Sequence, residues 1–521
     1  MKGKKNFVAG AGVLAGAVVF AKVLGAAYRI PLANILGAEG MGLYQFVYPV
    51  FALLLTLSSG AVPSAVSITV SGYLTNGDRA GAKHAFDVIL RLCLFIGIAG
   101  TAILLVLAYP VSLLQHEDAF IGYLTVAPAV LIVTLISAFR GWYFGHKDTV
   151  PSSISQITEG LVKLAVGLVL AEALLPYGKR FAVAGALFGV VASEAVTLLI
   201  MAIVFKVKDK EGFVRVRLRE NKEVVRSVGK VIAPLILCGL ILPASQFLDS
   251  VLVVNLLKVG GTGQEEATAL YGVFSGVVTP LVNLPVMVCI SLGVAVTPQM
   301  VEGRERRDVD FVMDKCTVST KLTLLLGIPF LLVYLLLAER VVGFLFPSIG
   351  EEKLATATLL LRISAPGVLG LSIFQIYSAM FQGLGRARTP VRIMASCAGI
   401  KLLLELVLTP TIGIVGTAVG CAVGYTLSGV LIMIRFFTFV RKMENSLKNG
   451  SAIALCGVIM AFVVFMGERL ATGPVGLLVV GAFSAFVYVS AVFTLRIFSR
   501  EELAAMPFSE RLLLLDDKLR K

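Results

Sequence analysis

Arg29 and Lys22 stand seven residues apart inside an apolar stretch, with Tyr28 beside the arginine. Seven residues is close to two helical turns, so both cations fall on nearly one helix face. A charge at the centre of a bilayer helix costs about 2.5 to 3.5 kcal/mol on insertion scales, so each one asks for a partner, a polar cavity or an interface. Two cations on one face make a wall suited to an anion, and phosphate-type oxygens are the acceptors such donors bind most strongly. The competing account is that one or both side chains reach up to the lipid headgroups or pair internally. Asp249, also in an apolar stretch, is the candidate counter-ion for Arg29 when the site is empty; an interhelical hydrogen bond is its other reading. Asn283, Gln246 and Gln375 add neutral polar groups that line a cavity or join helices.

Catalytic and metal chemistry find little to build on. The seven cysteines are scattered singly through apolar stretches, with no CxxC pair, and read as small hydrophobes. The three histidines form no metal-binding arrangement, and no GxxxxGK[ST] phosphate loop is present. No catalytic residue, metal or cofactor is therefore expected; membrane potential or a monovalent ion gradient is the expected source of any drive.

The elements that position these residues follow from composition. The 521 residues are 57% apolar and only 15% charged, with a mean hydropathy of +0.91, far from the quarter charged of ordinary globular chains. Apolar runs of membrane-spanning length recur throughout. Read between charged or Gly/Pro-rich breaks, they give about fourteen spans and an all-α polytopic membrane protein. The first run lacks a clear cleavage site and reads as a retained helix. The net charge of +14 does not point to nucleic acid, because the basic residues sit in short loops between spans. With both termini inside, the inner connections collect Arg79, Lys83, Lys147, the stretch from Lys206 to Lys230, Arg304, Arg306, Arg386 and Arg388. The outer ones hold Lys179, Arg180 and the acids Glu39 and Asp118. N-in, C-in is the orientation this alternation predicts.

A long-period repeat organises the spans. Phe139-Arg140-Gly141 followed by Gly145, Thr149 and Pro151 matches Phe381-Gln382-Gly383 followed by Gly385, Thr389 and Pro390, and Gly185 and Gly189 match Gly416 and Gly420. Offsets of roughly 230 to 240 residues, six spans apart, make the repeat parallel. Residues 1–227 then form a six-helix bundle with a basic linker, 228–440 a second, and 441–521 two extra helices and an inner-surface tail from Ser499. Two such bundles are the architecture of alternating-access transporters. Spans five and eleven carry Glu159 with Lys163 and Lys401 with Glu405, i, i+4 pairs read as self-neutralising structural ion pairs. Glu172, Glu194 and Arg362 are expected near helix ends or bundle interfaces and are not taken as site residues. Pro49, Pro63, Pro280 and Pro285 mark spans two and eight as helices that bend, and Gly413, Gly416, Gly420 and Gly424 form a packing stripe.

Ala-Lys-Val-Leu-Gly-Ala-Ala-Tyr-Arg-Ile-Pro at 21–31 and Gly-Ala-Glu-Gly-Met-Gly-Leu-Tyr at 37–44 carry a family resemblance. The chain resembles the polysaccharide biosynthesis and stage V sporulation protein B branch of the multidrug/oligosaccharidyl-lipid/polysaccharide exporter superfamily, akin to the MurJ-type lipid II flippases. The resemblance implies a MATE- and MurJ-like pair of bundles in a bacterial plasma membrane. It also implies a cavity that takes the pyrophosphate and sugars of an undecaprenyl-linked glycan, a groove for its lipid tail, and a basic residue matching Arg29 on the cavity wall. Where those flippases carry an adjacent Arg-Asp pair, this chain has Tyr28-Arg29, and their span-eight arginine has no counterpart around Thr279. The expected function is a flippase for such a precursor, most readily lipid II, with membrane lipids and cell-wall synthesis proteins as partners. Two alternatives stand beside it: a Na⁺- or H⁺-coupled multidrug antiporter of the same fold, for which Asp249 is the candidate acid, and a non-transporting membrane scaffold for cell-wall assembly.

Overall fold

The structure is a computed structural model that describes residues 2–116, 118–208, 239–440, 450–470, 473–495 and 497–499, together with isolated positions between 225 and 236 and Glu502. The described residues are nearly all helical and contain no strand. Two compact units divide at Val277/Val278. The first holds α1 (Lys2–Ser58), α2 (Val62–Thr75), α3 (Arg79–Gln115), α4 (Ala119–Gly145), α5 (Val150–Leu174), α6 (Lys179–Lys208), α7 (Ile241–Val259) and α8 (Gln264–Gly272). The second holds α9 (Thr279–Arg306), α10 (Val309–Leu336), α11 (Ala338–Leu345), α12 (Glu351–Gly383), α13 (Arg388–Ile412), α14 (Ile414–Val440), α15 (Gly450–Leu470) and α16 (Gly473–Thr494). Ten helices among the described residues are long and apolar enough to cross a membrane. α13 is of spanning length too, but it carries Arg388, Arg392, Lys401 and Glu405.

α1 is really two helices. Its 57 residues would reach about 85 Å at 1.5 Å per residue, nearly three bilayer cores. The chain turns at Gly37, whose φ of 67° and ψ of −174° are open essentially to glycine alone. Beyond that bend the second half of α1 packs closely on α8: a Cβ on Gly272 would overlap the carbonyl of Ala38, and one on Gly42 the carbonyl of Thr268. The two proline-bearing spans are both interrupted. Residues 59–61 break the helix between α1 and α2 just before Pro63, and a π-helical stretch, Val273–Val278, precedes Pro280 of α9.

The repeat is visible inside each unit. Asp78 accepts a hydrogen bond from the amide of Gly81 at 2.7 Å to cap α3, and Asp308 accepts one from Phe311 at 2.9 Å to cap α10. Phe139 and Phe205 meet edge to face with centroids 5.4 Å apart, and their repeat partners Phe381 and Phe436 do the same at 5.4 Å. Gly185 and Gly189 let α6 lie against Leu170 and Gly167 of α5, and Gly416 and Gly420 let α14 lie against Leu408, Thr409 and Glu405 of α13. Gly416, Gly420 and Gly424 are therefore a packing device, whereas Gly413, with φ of 67° and nothing within 4 Å, is the turn between α13 and α14.

At one end of the first unit Glu39 bonds Lys179 at 2.5 Å and Asp118 lies 3.7 Å from Arg180. Four residues expected on the outer side thus gather at one end. Lys83 departs from expectation. The Asp78 cap starts α3 early enough to carry Lys83 into its second turn, where it is only 2% exposed, with its ammonium 4.5 Å from the Phe205 centroid. It is a buried cation and not a loop charge. The basic stretch Lys206–Lys230 and the tail beyond Ser499 fall largely outside the described residues. What is described of the tail is anchored inward: Ile497 and Phe498 are buried among residues of α15 and α16, and Glu502 bonds Lys321 of α10 at 2.8 and 2.9 Å.

Candidate functional site

Four helices of the first unit bring charge into the membrane interior. Packing of α1 on α5 is fixed by small residues: a Cβ on Gly160 would press on Leu24, and one on Gly167 on the ring of Tyr28. Tyr28 is 2% exposed and its hydroxyl donates to the carbonyl of Ala186 on α6 at 3.1 Å, so it ties three helices together. Its neighbour Arg29 turns to the second half of α1, with its guanidinium 5.6 Å from the ring centroid of Tyr48. Lys163 of α5 completes the group, its ammonium 5.2 Å from the Tyr28 centroid and 5.5 Å from that of Tyr48. Tyr44 stacks on Tyr48 at 5.8 Å. Lys163 lies eleven residues from Leu174, about 16 Å along α5, so the cluster sits well away from the helix ends.

Charge balance decides the character of this cluster. Among the described residues neither Arg29 nor Lys163 forms an ion pair with a carboxylate. Aromatic faces return about 0.5 to 2 kcal/mol per cation, less than the cost of placing each charge in a span. The acid expected to neutralise Lys163 has gone elsewhere: Glu159 bonds Arg140 of α4 at 2.8 Å, and the same guanidinium reaches Ser155 at 3.5 Å. In the second unit the matching pair behaves as the sequence suggests. Lys401 and Glu405 lie 3.6 Å apart with side chains 4% and 1% exposed, Gly420 and Gly424 close over them, and the Cys421 thiol donates to Glu405 at 3.6 Å. The difference traces to one position. The repeat counterpart of Arg140 is Gln382, which carries no charge and donates to Ser378 at 3.4 Å, so Lys401 and Glu405 keep each other.

Of the residues singled out from the sequence, Tyr28 and Arg29 belong to this cluster. Lys22 lies on the same helix, but its side chain falls outside the described residues. Asp249 lies on α7 of the same unit, and no ion pair joins it to Arg29. Asn283 lies on α9 of the second unit, two residues before Pro285. Tyr44, Tyr48 and the Arg140–Glu159 pair were not singled out, and Lys163 entered only as the partner of Glu159 in a structural pair. The reading of Glu159 and Lys163 as a closed pair is corrected by Arg140, which competes for the acid from another helix. Tyr44 and Tyr48, one turn apart and about two and three turns beyond the Gly37 bend, were the available signal.

The family model described as polysaccharide biosynthesis protein matches residues 7–304, more than half of the chain. The chain belongs to this polysaccharide biosynthesis family. A second model, MatE, matches residues 234–407. Stage V sporulation protein B of Bacillus subtilis (strain 168) is 26% identical over 98% of this chain and 99% of its own length. Lipid II flippase MurJ of the same organism is 24% identical over 80% of each chain. The solved inward closed conformation of a lipid II flippase MurJ superposes with a TM-score of 0.69 at 13% identity, over 92% of this chain and 98% of that one, which shows the fold. The family member described here is a multi-pass bacterial membrane protein with the fold of the MATE- and MurJ-type transporters.

Proposed function

We propose that this protein is a flippase that moves an undecaprenyl-pyrophosphate-linked cell-wall oligosaccharide, lipid II foremost, from the inner to the outer leaflet by alternating access. The observation that carries the reading is the pair Arg29 and Lys163, two membrane-interior cations with aromatic neighbours and no carboxylate partner. An uncompensated pair of cations in low dielectric favours an anion that supplies two or more oxygens, and a pyrophosphate does so. Arg29 offers a planar fork to one phosphate and Lys163 a compact charge to the other. The names of two relatives, a lipid II flippase and a sporulation protein, support a lipid-linked cell-wall cargo. Lys22, on the same helix, assists, and membrane potential acting on the site charges returns the empty carrier.

Leaflet translocation of a fluorescent lipid II analogue in proteoliposomes tests the reading. Wild type is expected to move the analogue, and Arg29→Ala and Lys163→Ala each to lose about tenfold or more in rate. Efflux of a cationic dye that depends on Asp249, with no movement of the lipid, would instead make the protein a drug antiporter.

A further inference from the structure

Glu159 has two cations within its reach and uses one. It lies four residues before Lys163 on α5, the spacing and order that place an acid and a base together on one helix face. In this structure it bonds Arg140 of α4 at 2.8 Å instead. Arg140 is incompletely used: its Nε is buried without a hydrogen-bond partner. A second carboxyl waits beside them. Glu194 of α6 is 8% exposed and lies beside Glu159, within electrostatic reach of both Arg140 and Lys163. The tight α5–α6 crossing at Gly167 and Gly189 explains its place, because five residues on from Gly189 along an antiparallel neighbour lies the 159–163 turn. The second unit displays the other arrangement at the same place in the repeat, an acid and base four apart closed on each other, Lys401 with Glu405.

We infer that Glu159 is the exchangeable counter-ion of the anion site: it holds Arg140 while the site takes an anion, and swings to Lys163 to expel that anion, Glu194 then taking over Arg140. The inference rests on the anion-site reading of Arg29 and Lys163 and adds a release device to it. In the first arrangement Lys163 is free to bind oxygens. In the second it is neutralised from its own helix, as Lys401 and Glu405 neutralise each other, and the anion faces Arg29 alone. The number of protein ion pairs in the cluster rises by one on release, which offsets the loss of the anion. The titratable or charged groups around Glu159 are Arg140 of α4, Lys163 of α5 and Glu194 of α6, while Arg29 and the tyrosines of α1 surround Lys163.

Full-length protein in nanodiscs, titrated calorimetrically with inorganic pyrophosphate, tests the exchange alongside the translocation assay. Glu159→Gln removes the competitor for Lys163 and is expected to bind pyrophosphate about tenfold tighter while translocating more slowly, since release is then limiting. Glu194→Gln keeps shape, leaves Glu159 on Arg140, and is expected to tighten binding in the same direction. The gain in Glu159→Gln is expected to vanish when Lys163→Met is added. A purely structural role for Glu159 predicts weaker binding and a lower melting temperature, the opposite sign. Equal or weaker pyrophosphate binding in both Gln variants overturns the exchange, and so does a gain that survives Lys163→Met. If wild type takes no pyrophosphate and Arg29→Ala changes nothing, the anion-site reading itself falls and the exchange with it; the wild-type titration separates that failure from the others.

Discussion

Arg140 binds the carboxylate of Glu159 at 2.8 Å and so takes from Lys163 the acid that stands one helical turn away from it. A single arginine on α4 thereby leaves a lysine of α5 charged in the membrane interior, among three tyrosines and beside Arg29. Substituting Arg140→Gln, the residue found at the matching place in the second unit, is expected to return Glu159 to Lys163. Pyrophosphate affinity should fall about tenfold or more, while the melting temperature stays within a few degrees because the number of paired charges is kept. Binding that is unchanged in Arg140→Gln would mean that Lys163 does not depend on Arg140.

The sealed pair of the second unit makes a contrasting prediction. Lys401→Met leaves Glu405 charged, 1% exposed and without its base, which costs on the order of 3 to 5 kcal/mol. The double change Lys401→Met with Glu405→Leu removes both charges and is expected to recover most of that loss. Melting curves of the three proteins in detergent check this, and translocation by the double variant should stay near wild type.

Tyr28 serves two purposes that substitution can separate. Tyr28→Phe loses the 3.1 Å bond to Ala186 and leaves that carbonyl without this donor, a cost of about 1 kcal/mol, but keeps the ring face under Lys163. Tyr28→Leu loses both. Affinity for pyrophosphate should therefore change little in Phe and measurably in Leu, with melting temperature lowered in each.

The glycine crossing of α5 and α6 leaves no room for a side chain. Gly189→Ala would drive a methyl group into the backbone of Gly167 and is expected to destabilise the first unit by about 1 to 3 kcal/mol. Gly178→Ala, at a turn where nothing lies within 4 Å but φ is 117°, tests strain without crowding and should also destabilise, read as a lower melting temperature.

At the end of the chain Lys321 and Glu502 share two bonds with side chains 10% and 11% exposed. Glu502→Gln is expected to loosen the segment from Ile497 onward and to speed limited proteolysis there, with little effect on pyrophosphate binding. The amide of Ser499 donates to the Glu502 carboxylate at 2.7 Å and the Glu502 amide to the Ser499 hydroxyl at 3.1 Å, a reciprocal cap that the same variant weakens.

Much of the frame was legible in the sequence because it depends on local pattern. Apolar run length gave the spans, Gly37 and the prolines marked the places where helices bend or break, and the repeat of Phe139-Arg140-Gly141 in Phe381-Gln382-Gly383 located equivalent aromatic corners. Arg29 stood out because a lone arginine in an apolar run has no local excuse. Lys163 was hidden for the opposite reason: an acid one turn away supplied an excuse that proved false. Whether an i, i+4 pair closes depends on competitors from other helices, and the approach of Arg140 on α4 or Glu194 on α6 leaves no trace in the spacing of α5. Lys83 was misplaced by the same logic, since a basic residue near a span end looks like a loop charge until a cap draws it inward.

The two units also differ in what inheritance can do to them. A pair closed on itself tolerates either order of its members at a difference of about a few tenths of a kcal/mol, and this unit carries base before acid where the other carries acid before base. The order Glu159 then Lys163 has no such freedom, because Arg140 reads the first position and the tyrosines the second. After a duplication, one copy of the motif is thus free to drift through inversion while the other is pinned by a neighbour nineteen residues back, on the preceding helix.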